Sequence, residues 1–250
     1  MNQSAPQAVV LAAGKGTRMK SELPKVLCEV VDRPMIHFVI EALRRSGVER
    51  IIVVVGYQAE LVRESLADIS DLVFVEQTEQ LGTGHAVQMC RDEISGHSGP
   101  TIVVAGDSPL IQSDSLSKLL KLFHENEYAL LLGTLIKDDP TGLGRIVRDS
   151  ESQFIGIVEQ KDASDAELAI TEVNMSTYLF HTPDLLDSLG RLSNDNAQNE
   201  YYLTDLAKLL REAGRPVEAS PVLQPCEALS INNPQELELV DQKMRSMGYA

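Results

Sequence analysis

Two glycines and three cations crowd one short stretch of this chain. The apolar run Val9-Val10-Leu11-Ala12-Ala13 leads into Gly14, Lys15, Gly16, Thr17 and Arg18, with Leu23-Pro24-Lys25 just behind. Glycine has no Cβ, so the backbone at Gly14 and Gly16 can turn sharply and a ligand can approach its N–H groups. Those N–H groups, with Lys15, Arg18 and Lys25 nearby, suit a di- or triphosphate. Two familiar phosphate loops do not fit. A P-loop needs a glycine, four residues and then Gly-Lys-Ser/Thr; here Gly14-Lys15 is followed by Gly16, and Val9 stands at the upstream position. A dinucleotide fingerprint needs a third glycine where Met19 stands. The same residues also suit a plain strand-to-loop turn in which glycine serves shape alone.

The elements around this loop alternate in pattern. Apolar and β-branched runs predict strands over residues 8–11, 51–55, 72–75 and 101–105. Helical spacing predicts helices over 34–45, 59–66, 84–91 and 113–124, with Gly47 stopping the first and Ser113 or Asp114 capping the last. Strands alternating with helices imply βαβ units and an α/β, doubly wound, mostly parallel sheet. Beyond residue 125 the pattern changes. Strands are expected over 130–136, 145–147, 154–158 and 173–180 with few helices between them, forming a small antiparallel extension. Helices follow over 202–213 and 234–247, and 229–232 reads as a short strand with a polar end.

Ligands of open α/β sheets bind beyond the carboxyl ends of the strands. Gly14, Gly56, Gly82, Gly106-Asp107 and Asn232 all fall at or just after such ends. Turns use Gly and Asp in any case, which accounts for Gly56. It does not account for a carboxylate and an amide at two separate strand ends.

Leu11-Ala12-Ala13-Gly14-Lys15-Gly16-Thr17-Arg18-Met19 followed by Leu23-Pro24-Lys25 resembles the signature of the sugar-1-phosphate nucleotidyltransferases. Further segments narrow the resemblance: Glu79-Gln80-Leu81-Gly82-Thr83-Gly84-His85-Ala86, Asp139-Pro140-Thr141-Gly142-Leu143-Gly144-Arg145-Ile146, Ile157-Val158-Glu159-Gln160-Lys161-Asp162-Ala163, Asn196-Ala197-Gln198 and Glu200-Tyr201-Tyr202-Leu203-Thr204-Asp205. Within the family the chain is most similar to the uridyltransferase half of the bifunctional N-acetylglucosamine-1-phosphate uridyltransferase/glucosamine-1-phosphate acetyltransferases. The similarity covers nearly the whole chain in the family's order.

That resemblance implies a Rossmann-like sheet of the nucleotide-diphospho-sugar transferase type. It implies one nucleotidyltransferase domain over 1–250, with a nucleotide-binding half to about 125, a sugar-binding half over about 126–228, and a metal-binding strand end and terminal helix over 229–250. The implied reaction is uridylyl transfer from UTP to N-acetylglucosamine 1-phosphate, giving a UDP-sugar and pyrophosphate. Such a reaction needs in-line positioning and neutralisation of spreading negative charge, and no protein nucleophile. It calls for Mg²⁺ on hard oxygen ligands. Asp107, behind Ile102-Val103-Val104-Ala105-Gly106, is one expected ligand; Asn232 is the second, although Asn233 beside it leaves the register open. Arg18 and Lys25 are the expected catalytic cations on the transferred phosphate, with Lys15 on the β and γ phosphates. The nucleotide site is expected to use Leu11, Ala12, Ala13, Gly14 and Gly16, the Gln77 amide, Gly82 and Thr83. The sugar is expected at Ala105, Gly106, Gly144, Glu159 and Asn174, while Tyr201 and Tyr202 read either as pocket walls or as core.

Three positions depart from the family. Ala105 stands where a Tyr is usual, Met175-Ser176 where Thr-Gly is usual, and Asn199 where Gly is usual. They leave the phosphate and metal chemistry intact and open the identity of the sugar. The hexapeptide-repeat β-helix of the bifunctional enzymes does not follow before Ala250, so neither acetyl transfer nor that trimer is expected; a monomer or weak homo-oligomer is.

Composition bounds the alternatives. The 250 residues are 43% hydrophobic and 24% charged, with a net charge of −15. Nucleic acid and an anionic membrane surface are poor partners for such a chain. The cations Lys15, Arg18, Lys20 and Lys25 cluster locally, which suits a small anionic ligand. Cys28, Cys90 and Cys226 are far apart and odd in number, which fits buried apolar cysteines in a reducing cytoplasm. The start Met1-Asn2-Gln3-Ser4-Ala5-Pro6 carries no signal-peptide pattern. Two rivals remain: a nucleotidyltransferase for another sugar 1-phosphate, and a non-catalytic sensor of UDP-sugars.

Overall fold

Four runs rich in β-branched and small residues line up side by side at the centre: β1 (Gln7–Leu11), β2 (Arg50–Val55), β3 (Leu72–Glu76) and β4 (Pro100–Ala105). The computed structural model describes residues 4–19 and 21–249; Met1, Asn2, Gln3, Lys20 and Ala250 lie outside them. All four strands are parallel, in the order β3-β2-β1-β4. Because side chains alternate across a strand, one set of residues (Val10, Val53, Val104) faces α1 (Met35–Arg45), α2 (Ala59–Ser65) and α5 (Ser113–Asn126). The other set (Val9, Ile52, Val103) faces α3 (Thr83–Met89), together with α7 (Thr182–Leu189) and α8 (Asp205–Glu212). Both faces are therefore covered, as continuous apolar strands require.

The expected change of pattern after residue 125 is present, and its geometry is specific. The antiparallel β8 (Glu172–His181) pairs with β4 on one side and with β5 (Leu130–Ile136) on the other. β9 (Val217–Ser220), absent from the sequence expectation, adds to β5 in parallel. A two-strand ribbon of β6 (Gly144–Arg148) and β7 (Phe154–Val158), followed by the one-turn α6 (Asp165–Leu168), hangs from β8 at Val173 and Asn174. Among the described residues these nine strands share one sheet.

β1 is the point at which the chain reverses its order, with β2 and β3 on one side and β4 on the other. A crevice opens where the loops leaving such neighbours part. Leu11 sits in register with Val54 and with Ala105, and the Gly106 N–H donates to the Leu11 carbonyl at 2.9 Å. The loop after β1 and the loop after β4 thus start from one level.

Four expectations need correction. Residues 229–232 are not a strand. They follow a 3-10 turn (Pro225–Ala228) and lead into α9 (Pro234–Ser246), because the Asn232 N–H donates to the Glu236 carboxylate at 2.7 Å and Asn233 caps the helix, its side chain accepting the Glu236 N–H at 2.9 Å. Neither Ser113 nor Asp114 caps α5. The preceding Gln112 N–H is taken by Glu227 Oε1 at 3.0 Å, so a carboxylate from a distant segment does the work of a local cap. The helix expected over 202–213 starts only at Asp205, and α3 ends at Met89, with α4 (Arg91–Ile94) following Cys90.

A third apolar cluster docks α9 and decides where Asn232 goes. Val240 and Met244 of α9 and Ile231 bury against Met35, Phe38 and a two-residue hairpin, Glu29–Val30 with Arg33–Pro34. The hairpin turn puts Val31 and Asp32 at φ 49° and 59°. A β-branched residue is strained in this left-handed region. Burial of the Val31 side chain, 2% exposed, offsets that strain, and its N–H donates to Asp241 Oδ1 of α9 at 2.6 Å. Arg245, and then the Val31 N–H, hold the Asp241 carboxyl below the usual carboxylate range. A depressed acid stabilises the fold above its ordinary value of 3.8 and loses that contribution as pH falls through the lower folded value. Asp241→Ala is therefore expected to cost about 1–3 kcal/mol at pH 7, the penalty for a buried donor left without an acceptor. Its deficit in thermal melting should shrink as the pH is lowered below 3.8.

Candidate active site

The loop after β1 is shaped by two glycines with different tasks. A Cβ at Gly14 would meet nothing within 4 Å, so protein packing does not demand glycine there, and the open side faces the cleft. Gly16 has φ +63°, and a Cβ there would lie 2.5 Å from the Cβ of Lys25. Gly16 therefore lets the loop fold back onto the stem of Lys25. Ala12 is buried, with its N–H spent on the Val54 carbonyl at 2.9 Å, and the Ala13 carbonyl accepts the Tyr57 N–H at 3.1 Å. Of this run, Leu11, Ala13, Gly14 and Gly16 line the cleft.

Four of the residues expected to carry chemistry meet beside this loop. Lys25 Nζ lies 2.6 Å from Asp107 Oδ2 and 3.4 Å from Asn232 Oδ1. Arg18 Nη2 donates to the same Asn232 oxygen at 3.0 Å. Asn233 is turned away into its capping role, so Asn232 is the amide that faces the cations. Lys15 makes none of these contacts; its ammonium lies 5.1 Å from the centroid of the Tyr57 ring. Gly106 is buried beneath Asp107, where a Cβ would stand 3.0 Å from the Leu11 carbonyl oxygen.

From this group a cleft of about 460 Å³ runs in two directions. On the β3 side it is walled by Gln77, Gln80, Gly82, Thr83 and Ala86. Gln77 is 3% exposed, and its Nε2 donates to the Gly82 carbonyl at 3.1 Å and reaches His85 Nδ1 at 3.0 Å. The Gly82 carbonyl can take only the amide nitrogen, so the carbonyl Oε1 is the atom left to face a ligand. Gly82 has φ +106°, and a Cβ there would strike the Tyr201 carbonyl at 2.7 Å. Tyr201 O accepts the Gly84 N–H at 2.7 Å, and Thr83 Oγ1 accepts the Leu203 N–H at 3.2 Å. Residues 201–203 thus brace this wall from behind, which is why they do not join α8.

On the β8 side the cleft is walled by Ala105, Gly144, Glu159, Asn174 and Ser176. A Cβ at Gly144 would lie 3.6 Å from both Glu159 Oε2 and the Asn174 Cβ. Asn174 Nδ2 donates to the Tyr178 hydroxyl at 2.6 Å, and Asn174 Oδ1 accepts the Ser176 N–H at 3.1 Å. Glu159 Oε1 accepts the Thr204 hydroxyl at 3.0 Å. Burial pushes the Glu159 carboxyl above the usual carboxylate range; the Thr204 hydrogen bond pulls it down, and Asp162, Asp205 and Glu200 push it further up. The two positions where the family's glycine is replaced, Ser176 and Asn199, both have φ 54°. Asn takes this region readily and Ser less so.

Several residues of the site are not among the expected site residues, although Ser176 stands out in the sequence as a departure from the family. Arg145 is 2% exposed and donates to the Leu143 carbonyl and, at 2.9 Å, to Gln160 Oε1, tying the turn before β6 to the segment after β7. Gln80, Ser176, Tyr178, Glu200 and Thr204 line the cleft. The segments containing Gln80, Arg145, Glu200 and Thr204 were among those carrying the family resemblance, and that was the available signal. Tyr202 is buried with its hydroxyl taken by Gln198 Nε2 at 2.7 Å, so of the two readings left open for it the core one holds. The three cysteines are buried and free. Among the described residues no group of three or more His, Cys, Asp or Glu side chains could hold a metal on its own, and no helix is long and apolar enough to cross a membrane.

Known proteins share this arrangement of chain. The family model described as Nucleotidyl transferase matches residues 7–221. The bifunctional protein GlmU of Exiguobacterium sp. is 45% identical over 238 residues, 95% of this chain and 52% of that protein. GlmU of Clostridioides difficile is 41% identical over 239 residues, 96% of this chain and 51% of that protein. The chain thus spans about half the length of the curated relatives it matches. A crystal structure of a UDP-glucose pyrophosphorylase complexed with UDP-glucose superposes with a TM-score of 0.76 over 97% of this chain and 99% of that one, at 18% identity, a likeness of fold. With the family's pattern met from β1 to just past β9, and relatives above 40% identity along nearly all of its length, the chain belongs to the nucleotidyl transferase family.

Proposed function

We propose that this protein transfers a uridylyl group from UTP to N-acetylglucosamine 1-phosphate, releasing pyrophosphate and forming the UDP-sugar. The observation that carries the reading is the meeting of Arg18, Lys25, Asp107 and Asn232 beside a cleft whose base side presents the Gln77 carbonyl oxygen. The relatives named GlmU, and the fold neighbour that holds a UDP-sugar, support it.

The donor set fits Mg²⁺. The Asp107 carboxylate and the Asn232 carbonyl are two hard oxygens that already converge on one cationic nitrogen, and Mg²⁺ commonly takes one or two protein oxygens with the rest from phosphate and water. Asp107 and Asn232 would hold it, and when bound it would neutralise charge on the phosphate oxygens. Arg18 and Lys25 act on the same charge: the guanidinium fork of Arg18 grips the transferred phosphate, and Lys25 adds a point charge as the bond to pyrophosphate breaks. Gln77 Oε1 accepts the N3–H of uracil; cytosine has an acceptor at that place and leaves two acceptors facing each other. Glu159 and Asn174 take sugar hydroxyls and the acyl amide, with the attacking phosphate oxygen directed, beside Lys25, at the α-phosphorus of UTP, from which pyrophosphate leaves. Three free buried cysteines and a nucleotide substrate fit the cytoplasm. The small side chains of Ala105 and Ser176 in the cleft wall favour a second reading, in which another N-acylhexosamine or hexose 1-phosphate is preferred.

Pyrophosphate release from purified protein with UTP, Mg²⁺ and a panel of sugar 1-phosphates tests the proposal. Turnover is expected, highest with an N-acylhexosamine; no release with any sugar, together with tight UDP-sugar binding, would make the protein a sensor instead. Arg18→Ala and Lys25→Ala should each lower kcat by about a hundredfold or more, the scale of one lost charge-stabilising donor of about 3 kcal/mol. Gln77→Ala should reduce the preference for UTP over CTP roughly tenfold, about 1.4 kcal/mol. Glu159→Gln should raise the KM for the sugar phosphate while melting at a higher temperature at pH 7. The sign follows from its raised carboxyl: the fold favours the protonated form, so its contribution is full below the ordinary value of 4.5 and lost as pH rises through the folded value.

A further inference from the structure

An asparagine amide offers a carbonyl on one side and an N–H₂ on the other, and the two differ little in shape. At the cluster described above, only the carbonyl serves. If the Asn232 amide were reversed, its N–H₂ would face Arg18 and Lys25, and no oxygen would be offered to them or to a divalent cation. Arg18 and Lys25 favour that orientation from the front, and contacts on the far side of the amide fix it from behind, before any cation arrives. Asn232 Nδ2 donates to Glu236 Oε2 at 3.1 Å, and the Asn232 backbone N–H donates to the same oxygen at 2.7 Å. Ser230 Oγ accepts from Nδ2 at a longer 3.3 Å. The amide is thus held from behind through its nitrogen, and Oδ1 is left for Arg18 Nη2 at 3.0 Å and Lys25 Nζ at 3.4 Å.

Helix capping does not account for all of these contacts. Glu236 lies in the first turn of α9, and its other oxygen, Oε1, accepts Asn233 Nδ2 at 2.9 Å while its N–H donates to Asn233 Oδ1 at 2.9 Å. That pair closes the helix start. Oε2 is not needed for it and is committed to Asn232 instead. Outer carboxylates that orient an inner ligand are a recurring device of ion sites.

We propose that Glu236 is a positioning residue. Its Oε2 selects the orientation of the Asn232 amide and so delivers the carbonyl oxygen to the Arg18–Lys25 pair. It touches neither substrate nor reacting atoms, and it acts through Asn232. Its part in catalysis rests on the uridylyl-transfer reading; its part in orienting Asn232 does not.

The test separates orientation from stability. Glu236→Ala removes the acceptor and part of the cap, so a lower melting temperature alone decides nothing. Asn232→Asp supplies the control, because a carboxylate has an oxygen on both sides and needs no orienting partner. In the wild-type background, however, that carboxylate would face Glu236, and like charges repel. We expect Glu236→Ala to weaken Mn²⁺ binding, followed by electron paramagnetic resonance with UTP and no sugar phosphate, by tenfold or more. We expect kcat to fall by a similar factor with little change in the KM for the sugar phosphate. Adding Asn232→Asp to Glu236→Ala should recover most of both, whereas Asn232→Asp alone should not reach wild-type values. A Glu236→Ala variant that binds Mn²⁺ and turns over like wild type, or a double variant no better than Glu236→Ala, would overturn the proposal. In ligand-free protein, the side-chain amide resonances of Asn232 should be shifted and slow to exchange, and should lose both properties in Glu236→Ala. If wild type shows no turnover and no Mn²⁺ binding, the transfer reading fails, and the Asn232 resonances still decide for or against Glu236.

Discussion

One ammonium group joins three distant parts of this chain. Lys25 Nζ touches Asp107 at the end of β4 and Asn232 ahead of α9, and Arg18 closes the set onto an asparagine 214 residues away in sequence. The side chains of Lys25 and Asp107 are 15% and 29% exposed, so the pair is neither fully wet nor dry. Exposed pairs contribute little to stability, and burial adds a desolvation cost. The value of the pair is positional. Its geometry is not made by the charges themselves: Gly16 lets the loop close onto the Lys25 stem, the Leu11–Ala105 register sets the level of Asp107, and the third apolar cluster brings Asn232 in.

The cleft is polarised along its length. Where its two directions part stand Arg18 and Lys25 in a protein of net charge −15. Toward β8, Glu159 is crowded by Asp162, Glu200 and Asp205, and its carboxyl is pushed upward. Cations at the junction suit phosphates; acceptor-rich carboxylates on the β8 side suit hydroxyl groups. Such like-charge crowding works against folding, and it persists here where a ligand would use it.

Much of the architecture was legible in order. The β-branched runs, Gly47 and the shift of pattern after residue 125 correspond to the parallel core, the end of α1 (Gly47 has φ +91°) and the antiparallel strands. The failures each trace to a competing hydrogen-bond partner. The 229–232 segment looks like a strand because Leu229 and Ile231 alternate with polar residues, yet its backbone donor is taken by Glu236. Ser113 and Asp114 look like caps, yet Glu227 reaches Gln112 first. Tyr202 and Leu203 look helical, yet Leu203 is drawn to brace Thr83. At Gln112 and Leu203 a partner more than a hundred residues away outcompeted a local preference, whereas at 229–232 the competing acceptor is only four residues on, in the first turn of α9.

The sequence by itself determined the four parallel strands and the helices between them, the glycine loop with its cations and the acid at the end of β4, because these depend on side-chain type and short spacing; it did not indicate α7 or β9. Tertiary structure alone decided that Asn232 rather than Asn233 faces those cations, that Lys15 lies over Tyr57 and not with Lys25, and that Gln77 presents its carbonyl. The reason is physical. Which way an amide or an ammonium points is set by the groups around it: for Asn232 and Lys15 these include segments that only folding brings together, and for Gln77 they lie in the adjoining turn but need its folded geometry.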